Sequence, residues 1–138
     1  MKKRAIISLK SFNDIDKEDV IEVITPGEFF VMENGFKAIY EETELSGMNG
    51  TTTTLTMVGD SLVLEREGST SAKMDFKKGE TSVSMYDTPY GILDLQIHTE
   101  HLKIDIDENG GDIMAKYSME FSGQPAITTK LSVNVRIN

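Results

Sequence analysis

The stretch Leu55-Thr56-Met57-Val58-Gly59-Asp60-Ser61-Leu62-Val63-Leu64 decides the fold class, because apolar residues recur at every second position on both sides of a turn signal. A two-residue turn at Gly59-Asp60 pairs Met57 with Leu62, and pairs the two outer leucines with each other. All four apolar side chains then lie on the same face. The stretch therefore predicts a β-hairpin with one buried face.

Five further turn signals follow at spacings typical of an antiparallel meander. In each case, the number of residues in the turn is assigned so that the apolar residues of both flanking strands lie on one face. A turn at Lys78-Gly79 then pairs Met74 with Val83, and a turn at Glu100-His101 pairs Ile97 with Ile104. The full set is Glu67-Gly68-Ser69, Lys78-Gly79, Glu100-His101, Asn109-Gly110 and Gly123-Gln124-Pro125.

The last two turns complete the predicted inner face. Asn109-Gly110 is a strong hairpin signal and pairs Ile106 with Ile113. The Gly123-Gln124-Pro125 loop brings Tyr117 against Leu131. We expect positive φ angles at Gly68 and Gly110. The residues predicted to share one buried face are Leu55, Leu62, Met74, Val83, Ile104 and Leu131.

The whole pattern predicts an all-β protein, with residues 1–138 forming a single domain. Around Asn34-Gly35 both faces carry apolar groups, so the pattern leaves the inward side of this hairpin undecided. Eight to ten strands with one apolar face each would leave two long edges unless the sheet closes. We therefore expect a single antiparallel up-and-down meander barrel, with a two-sheet sandwich as the alternative.

Composition excludes several classes of chemistry and of binding partner. The chain has no cysteine, which excludes disulfides and thiolate chemistry. Its formal charge of −9 disfavours nucleic acid and anionic membranes as partners. The apolar run after Lys2-Lys3-Arg4 is too short for a secretion signal, so a cytoplasmic protein is expected, as a monomer or a homodimer.

Local motifs indicate no catalytic residue, metal or cofactor. Asp105-x-Asp107-x-Asn109-Gly110 opens like a calcium-binding loop, but the twelfth position is Lys116 instead of the required glutamate. His98 and His101 have no converging third ligand and are interpreted as surface residues. Phosphate-binding, dinucleotide and serine-nucleophile motifs are absent from the sequence. An enzyme therefore ranks behind a binding or structural protein.

Polar residues gather at one predicted end of the barrel. A four-residue loop from Gly47 to Gly50 would set Glu44 opposite Thr53 and Glu42 opposite Leu55, and the first hairpin sets Thr53 opposite Arg66. The loops at 47–50, 67–69, 87–91 and 109–110 are predicted to lie at this end. An inward charge must be paired, so the group is either a structural plug or a mouth for a small polar or anionic ligand. The plug is the favoured outcome, because ion-pair networks also occur at many sites without a function. The candidate ligand-binding residues are Tyr40, Glu42, Glu44, Thr53, Arg66, Tyr86 and Tyr90.

Several short motifs together resemble the YwiB-like family of small bacterial proteins. They are Pro26-Gly27, Tyr40-x-Glu42, the Thr-rich strand before Gly59-Asp60, Arg66-x-Gly68, Met74-x-Phe76, Thr88-Pro89-Tyr90-Gly91 and Thr99. The resemblance covers nearly the whole chain and implies a lipocalin-like (calycin) β-barrel of eight to ten strands. It also implies that Tyr40 and Glu42 point inward. It implies no activity, and the alternatives therefore remain a binding barrel for a small molecule and an interaction or structural module with a packed interior.

Overall fold

The computed structural model describes residues 2–13, 20–42, 50–68, 71–88, 91–121 and 124–138, with the main chain alone described for 86–88. These residues form ten antiparallel strands and no helix. The strands are β1 (Lys2–Asn13), β2 (Ile21–Met32), β3 (Gly35–Glu41), β4 (Thr52–Val58), β5 (Ser61–Glu67), β6 (Ala72–Lys77), β7 (Thr81–Thr88), β8 (Gly91–Asp107), β9 (Gly110–Phe121) and β10 (Ile127–Ile137).

The ten strands form one sheet that curls into a nearly closed barrel, which confirms the predicted fold class. Their order in the sheet is β6-β5-β4-β3-β2-β1-β10-β9-β8-β7. Each strand therefore pairs with its neighbour in the chain, apart from β6 and β7, and the first and last strands pair with each other. The barrel is consequently an up-and-down meander whose two sheet edges meet between β6 and β7.

The hairpin at Gly59-Asp60 has the predicted register. Met57 pairs with Leu62 and Leu55 with Leu64, and all four side chains are buried. The hairpin at Glu33-Asn34 turns Tyr40 inward, as the family resemblance implied. The buried core of the barrel is apolar and comprises Ala5, Ile7, Phe29, Ala38, Tyr40, Leu55, Met57, Leu62, Leu64, Met74, Phe76, Leu95, Ile97, Ile113, Ala115, Tyr117, Leu131, Val133 and Val135.

The prediction for β7 was wrong. Val83 is 72% exposed instead of buried, and β7 forms its ladder with β8 instead of β6. Leu95 of β8 fills the interior, and its cross-strand partner on the same face of β7 is Ser84. The serine face of β7 turns towards the edge of β6, whose carbonyl groups accept hydrogen bonds from the serine hydroxyls.

Serine hydroxyls bridge the seam between β6 and β7. Ser82 Oγ donates to Asp75 O at 3.1 Å, and Ser84 Oγ donates to Lys73 O. Beside the seam, Gly79 N donates to Thr99 O at 2.8 Å. Side chains and one turn thus connect the two edges where the backbone ladder ends.

The predicted turn at Glu100-His101 was also wrong. β8 runs unbroken from Gly91 to Asp107, with a β-bulge between Thr99 and His101. A bulge sets two residues of one strand against one of its partner, so it changes the inward parity just as a two-residue turn does. Ile97 and Leu102 therefore both face inward without any reversal of the chain.

Two later registers differ from the predictions, although their parity was right. Ile104 pairs with Ile113, because the turn residues are Glu108 and Asn109. Leu131 pairs with Ala115 instead of Tyr117, because the connection between β9 and β10 is longer than three residues. Since even displacements preserve the face, Leu131 is buried and Ile104 packs half-buried against the core.

Gly68 and Gly110 both have the predicted positive φ angles, 137° and 94°. A Cβ atom on Gly68 would lie 2.2 Å from the carbonyl oxygen of Gly50, and one on Gly110 would lie 2.3 Å from that of Val135. Glycine is therefore required at both positions by main-chain conformation and by close approach of a neighbouring strand.

Alternation of strand direction assigns every connection to an end of the barrel. The connections after β1, β3, β5, β7 and β9 lie at one end, which we call the Arg66 end, and the remaining connections lie at the opposite end. Because β8 is unbroken, the turn at Glu108-Asn109, which was predicted at Asn109-Gly110, lies at the opposite end and not at the Arg66 end.

Candidate functional site

Three neighbouring strands set the polar residues of the Arg66 end in one row. Tyr40 of β3 pairs with Thr53 of β4, and Thr53 pairs with Arg66 of β5, as predicted for the second pair. Glu42 follows β3 directly, and its amide donates to Thr51 O at 2.8 Å. The strand pairing therefore holds a phenol, a hydroxyl and a guanidinium side by side, with a carboxyl group next to them.

The predicted loop from Gly47 to Gly50 gave the wrong register for this row. Tyr40, and not Glu44, lies opposite Thr53, and Ala38, and not Glu42, lies opposite Leu55. The connection between β3 and β4 is four residues longer than assumed, which again preserves the inward parity. Glu42 is accordingly buried, with 4% of its side chain exposed.

Glu42 interacts with one residue on β4 and one on β5. Thr53 Oγ1 donates to Glu42 Oε1 at 2.5 Å, and Arg66 Nε lies 3.9 Å from the same oxygen. The first distance is a hydrogen bond, whereas the second is too long for one and is an ion pair only. The carboxylate is therefore anchored by Thr53 and merely approached by Arg66.

Two tyrosines lie close enough to respond to these charges. Burial raises the pKa of Tyr40, and the neighbouring Glu42 carboxylate raises the pKa further. Burial also raises the pKa of Tyr117, while the positive charge of Arg66 opposes that rise. Both phenols are therefore protonated at neutral pH and can donate hydrogen bonds.

Arg66 Nε has an unmet hydrogen-bonding requirement. The atom is buried, and within the part of the chain that the structure describes no acceptor lies within hydrogen-bonding distance of it. A buried donor without an acceptor is costly, at roughly 1–3 kcal/mol. Such groups in native structures call for an explanation, and a bound partner is one of them.

A cavity of about 180 Å³ lies directly beside this group. Its walls are mainly apolar, and its polar side chains include those of Tyr40, Glu42 and Arg66. The rim includes Ile21, which is 43% exposed. The complete lining is Leu9, Ser11, Ile21, Val23, Tyr40, Glu42, Leu64, Arg66, Met74, Leu95, Tyr117, Met119, Phe121 and Leu131.

The structure thus brings four of the seven candidate residues together, namely Tyr40, Glu42, Thr53 and Arg66. Glu44 and Tyr90 lie outside the described residues, and only the main chain of Tyr86 is described. Tyr117 also lines the cavity but was absent from the candidates. Its alternation with Ala115 predicts an inward side chain, but its height in the barrel depends on the register between β9 and β10.

The other motifs have local roles. Asp107 Oδ1, in the calcium-like motif, accepts a hydrogen bond from Asn109 N at 2.7 Å and so caps its own turn. His98 Nδ1 and Thr81 Oγ1 lie 2.9 Å apart across the β7–β8 ladder. Among the described residues there is neither a group of three metal-ligating side chains nor a helix long and apolar enough to cross a membrane.

Fold and site together define a small antiparallel β-barrel with a polar group and a small cavity at one end. A family model described as "Domain of unknown function (DUF1934)" matches residues 7–133, and the chain belongs to this family. It is 32% identical over 108 residues to "Uncharacterized beta-barrel protein YwiB" of Bacillus subtilis (strain 168), an alignment that covers 77% of this chain and 73% of that protein.

A solved structure shares the fold. The crystal structure of the ywiB protein from Bacillus subtilis superimposes with a TM-score of 0.87 at 22% sequence identity, over 99% of this chain and 93% of that one. The similarity extends to the whole ten-stranded barrel. Neither the family description nor the relative's name assigns an activity.

Proposed function

We propose that this protein binds a small molecule in the cavity at the Arg66 end, with an acceptor group of the ligand against Arg66 and an apolar body in the barrel. The observation that carries the proposal is the buried Nε of Arg66, for which none of the described residues provides an acceptor, beside a mainly apolar cavity. A carboxylate would form a charge-assisted hydrogen bond there. The protonated phenol of Tyr40, which hydrogen-bonds to Glu42, lines the same cavity.

The volume of the cavity limits the size of the ligand. An apolar cavity of roughly 150 Å³ accommodates benzene, so about 180 Å³ with an open rim accepts a molecule somewhat larger than benzene. The Glu42 carboxylate balances the charge of Arg66, so a ligand with a single negative charge is favoured over one with several. A monocarboxylate with a short apolar body meets both conditions.

The alternative is a structural plug that only seals the barrel end, and on the sequence alone it was the favoured outcome. Its best support is the short hydrogen bond from Thr53 to Glu42, which positions the carboxylate without any ligand. A plug should also satisfy its guanidinium, because a half-satisfied buried polar network is less favourable than an apolar core. The 3.9 Å separation between Arg66 Nε and Glu42 Oε1 therefore favours the binding site.

The setting of this function is part of the same proposal. We infer that residues 1–138 form one domain. Lipocalin-like (calycin) barrels bind small ligands, and this analogy at the level of fold supports the proposal. A cytoplasmic location is supported by the lack of cysteine, since reducing compartments do not select for disulfides.

Benzoate is a suitable probe, because it has a carboxylate, an apolar ring and nine non-hydrogen atoms. In a benzoate titration monitored by NMR, the amide chemical shifts of residues around the cavity, including Leu64 and Tyr117, should change. Arg66→Gln should weaken benzoate binding at least tenfold. Arg136→Gln is the matched control, because Arg136 is exposed on β10 and pairs with Gly110 at the opposite end, and it should leave binding unchanged.

Two outcomes separate binding from sealing. If Arg66→Gln weakens benzoate binding while the unfolding temperature changes little, Arg66 is a ligand-binding residue. If benzoate does not bind the unmodified protein at millimolar concentration and Arg66→Gln lowers the unfolding temperature by several degrees, the group is a structural plug. Native mass spectrometry of protein purified from cells adds a check, since a retained molecule should be lost from the Arg66→Gln variant.

A further inference from the structure

The outer wall formed by β1, β10, β9 and β8 carries an unusual concentration of cations. Cross-strand pairing aligns Lys130 of β10 with Lys116 of β9, and Lys116 with His101 of β8. The turn that carries Lys78 joins them, because Gly79 N donates to Thr99 O of β8. We call this surface the lysine face; its polar and charged members are Lys10, Lys78, His101, Lys103, Lys116, Lys130 and Ser132, and its outward apolar side chains are those of Phe12 and Met114.

This concentration runs against the composition of the chain. Five lysines of the lysine face are among only 14 Lys and Arg residues, in a protein with 23 Asp and Glu residues. Like charges directly opposite each other on neighbouring strands are destabilising. Lys116 and Lys130 occupy such a pair of positions. A bound anion that neutralises these lysines would explain why an acidic chain places them next to each other.

Contacts within the protein neutralise part of this charge. Glu22 lies opposite Lys10 on the neighbouring strand β2, which leaves the centre of the lysine face to Lys116 and Lys130. Lys116 Nζ lies 3.7 Å from Glu100 Oε2, and both side chains are about two-fifths exposed. The Glu100 oxygen itself is buried whereas the lysine is partly exposed, so water screens the attraction only in part. Lys130 Nζ lies 5.8 Å from the centre of the Phe12 ring, a contact that leaves the charge in place.

The shape and borders of the lysine face limit the anion. The concavity on the lysine face has a volume of about 790 Å³. The next pair of positions along the same outer wall holds Asp105 opposite Asp112, about 7 Å beyond Lys103 opposite Met114. This acidic border repels a long polyanion that would run across it. The net charge of −9 likewise opposes a nucleic acid or an anionic bilayer.

We propose that the lysine face binds a compact anion with two or more phosphate groups. Five lysines and a histidine line one concavity, and together they match several closely spaced negative charges, which a single carboxylate does not supply. Met114, which is 56% exposed, and Phe12 provide apolar contacts for an organic group attached to the phosphates. This site is on the outer wall and is independent of the cavity inside the Arg66 end.

Inorganic tripolyphosphate is the probe that tests the site. At low ionic strength, a titration should shift amide signals of β1, β8, β9 and β10 around Lys116 and should raise the unfolding temperature, because a ligand that binds only the folded state stabilises it. The double variant Lys116→Ala/Lys130→Ala should bind at least tenfold more weakly. Its own unfolding temperature should stay within a few degrees, since removal of one like-charge pair offsets the lost contacts.

The control is a double variant with the same change of net charge on the other wall, Lys37→Ala/Lys73→Ala, whose residues lie on β3 and β6. It should bind tripolyphosphate as the unmodified protein does. Equal weakening in both double variants would show general electrostatic attraction and overturn the proposal. So would an absence of amide shifts at millimolar tripolyphosphate, or tighter binding of a 20-base-pair DNA duplex than of tripolyphosphate.

A comparison of adenosine triphosphate with tripolyphosphate distinguishes the two sources of such an anion. Tighter binding of the nucleotide, with additional shifts at Phe12 and Met114, would identify an organic polyphosphate as the ligand class. Equal affinities would identify the polyphosphate chain alone. The lysine variants leave the Arg66 cavity intact, so failure of this proposal would leave benzoate binding unaffected.

Discussion

At the scale of single residues, Tyr40 links the stability of the barrel to the chemistry of its polar end. Its ring is part of the buried core, while its phenol lies beside Glu42 and opposite Thr53. Burial and the Glu42 carboxylate both disfavour the phenolate, which raises the pKa of Tyr40. Burial does the same for Tyr117. Folding therefore keeps two phenols protonated at pH values at which they ionise in the unfolded chain.

We predict that the free energy of unfolding is independent of these two groups below pH 10 and falls as the pH rises above it. Tyrosines of the unfolded chain release protons near pH 10, whereas the native pKa of each residue is higher, so the unfolded state then binds fewer protons. Each group should contribute a slope of about 1.4 kcal/mol per pH unit. Urea unfolding between pH 8 and 11.5 measures this slope.

The variant Tyr40→Phe is the test of this assignment. It removes one of the two titrating groups and should reduce the alkaline slope by about 1.4 kcal/mol per pH unit. A slope that is the same in Tyr40→Phe and in the unmodified protein would contradict the assignment to Tyr40. Below pH 9 the variant reports only the loss of the phenol's hydrogen bonds, so the two effects are measured separately.

At the scale of elements, β7 and β8 determine how the barrel closes. The bulge in β8 lets one 17-residue strand pair with β7 through its first half and remain paired with β9 almost throughout. β7 then presents serines, instead of its apolar residues, to the edge of β6. The exposed side chains of Val83 and Met85 follow from this orientation.

We predict that Ser82→Ala/Ser84→Ala lowers the free energy of unfolding by about 1–3 kcal/mol in total, at roughly 0.5–1.5 kcal/mol for each hydrogen bond across the seam. Val83→Ala lies between them and should change it by less than about 0.5 kcal/mol, because the side chain is exposed. Chemical denaturation of the three proteins provides the comparison. A larger loss in Val83→Ala than in the double variant would show that β7 presents its valine face to the interior.

At the scale of the whole molecule, the order of strands in the sheet is a circular permutation of their order in the chain. In the sheet, the strands follow one another from β7 to β10 and then from β1 to β6, and each strand is paired with the next. Asn138 N donates to Arg4 O at 3.0 Å, so the ends of β1 and β10 are adjacent. β1 and β10 therefore pair inside a continuous ladder, and the break in the ladder lies at the seam between β6 and β7.

We predict that a permuted chain opened between Lys78 and Gly79, with Asn138 joined to Lys2 by a short Gly/Ser linker, folds to the same barrel. Every ladder is retained, and the new ends lie at an exposed turn, where permutation is tolerated. The expected result is a β-rich circular dichroism spectrum and a cooperative thermal transition. A chain opened between Ala115 and Lys116, in a strand paired on both sides, should show no such transition. Two permuted chains that unfold alike would contradict this account of the ladder.

The sequence by itself determined the features that depend on parity. Alternation of apolar residues and the Gly59-Asp60 turn predicted an all-β meander, the inner faces of β4 and β5, and the inward direction of Leu131 and Glu42. These predictions tolerated errors in loop length, because a displacement by two or four residues leaves every side chain on its face. The approach of Arg66 to Glu42 was predictable for the same reason, even though the register of Glu42 was wrong.

Only the tertiary structure decided which strands pair, and how far each strand extends. A bulge and a two-residue turn produce the same parity change, so the pattern at Thr99 and Leu102 was compatible with either. The choice depends on the space left at the seam, where β8 must reach both β7 and the turn at Gly79. The lysine face likewise depends on the register of β1, β8, β9 and β10, which brings together residues that the sequence separates by more than a hundred positions. Long-range register is determined by closure of the whole barrel, so the local sequence pattern does not predict it.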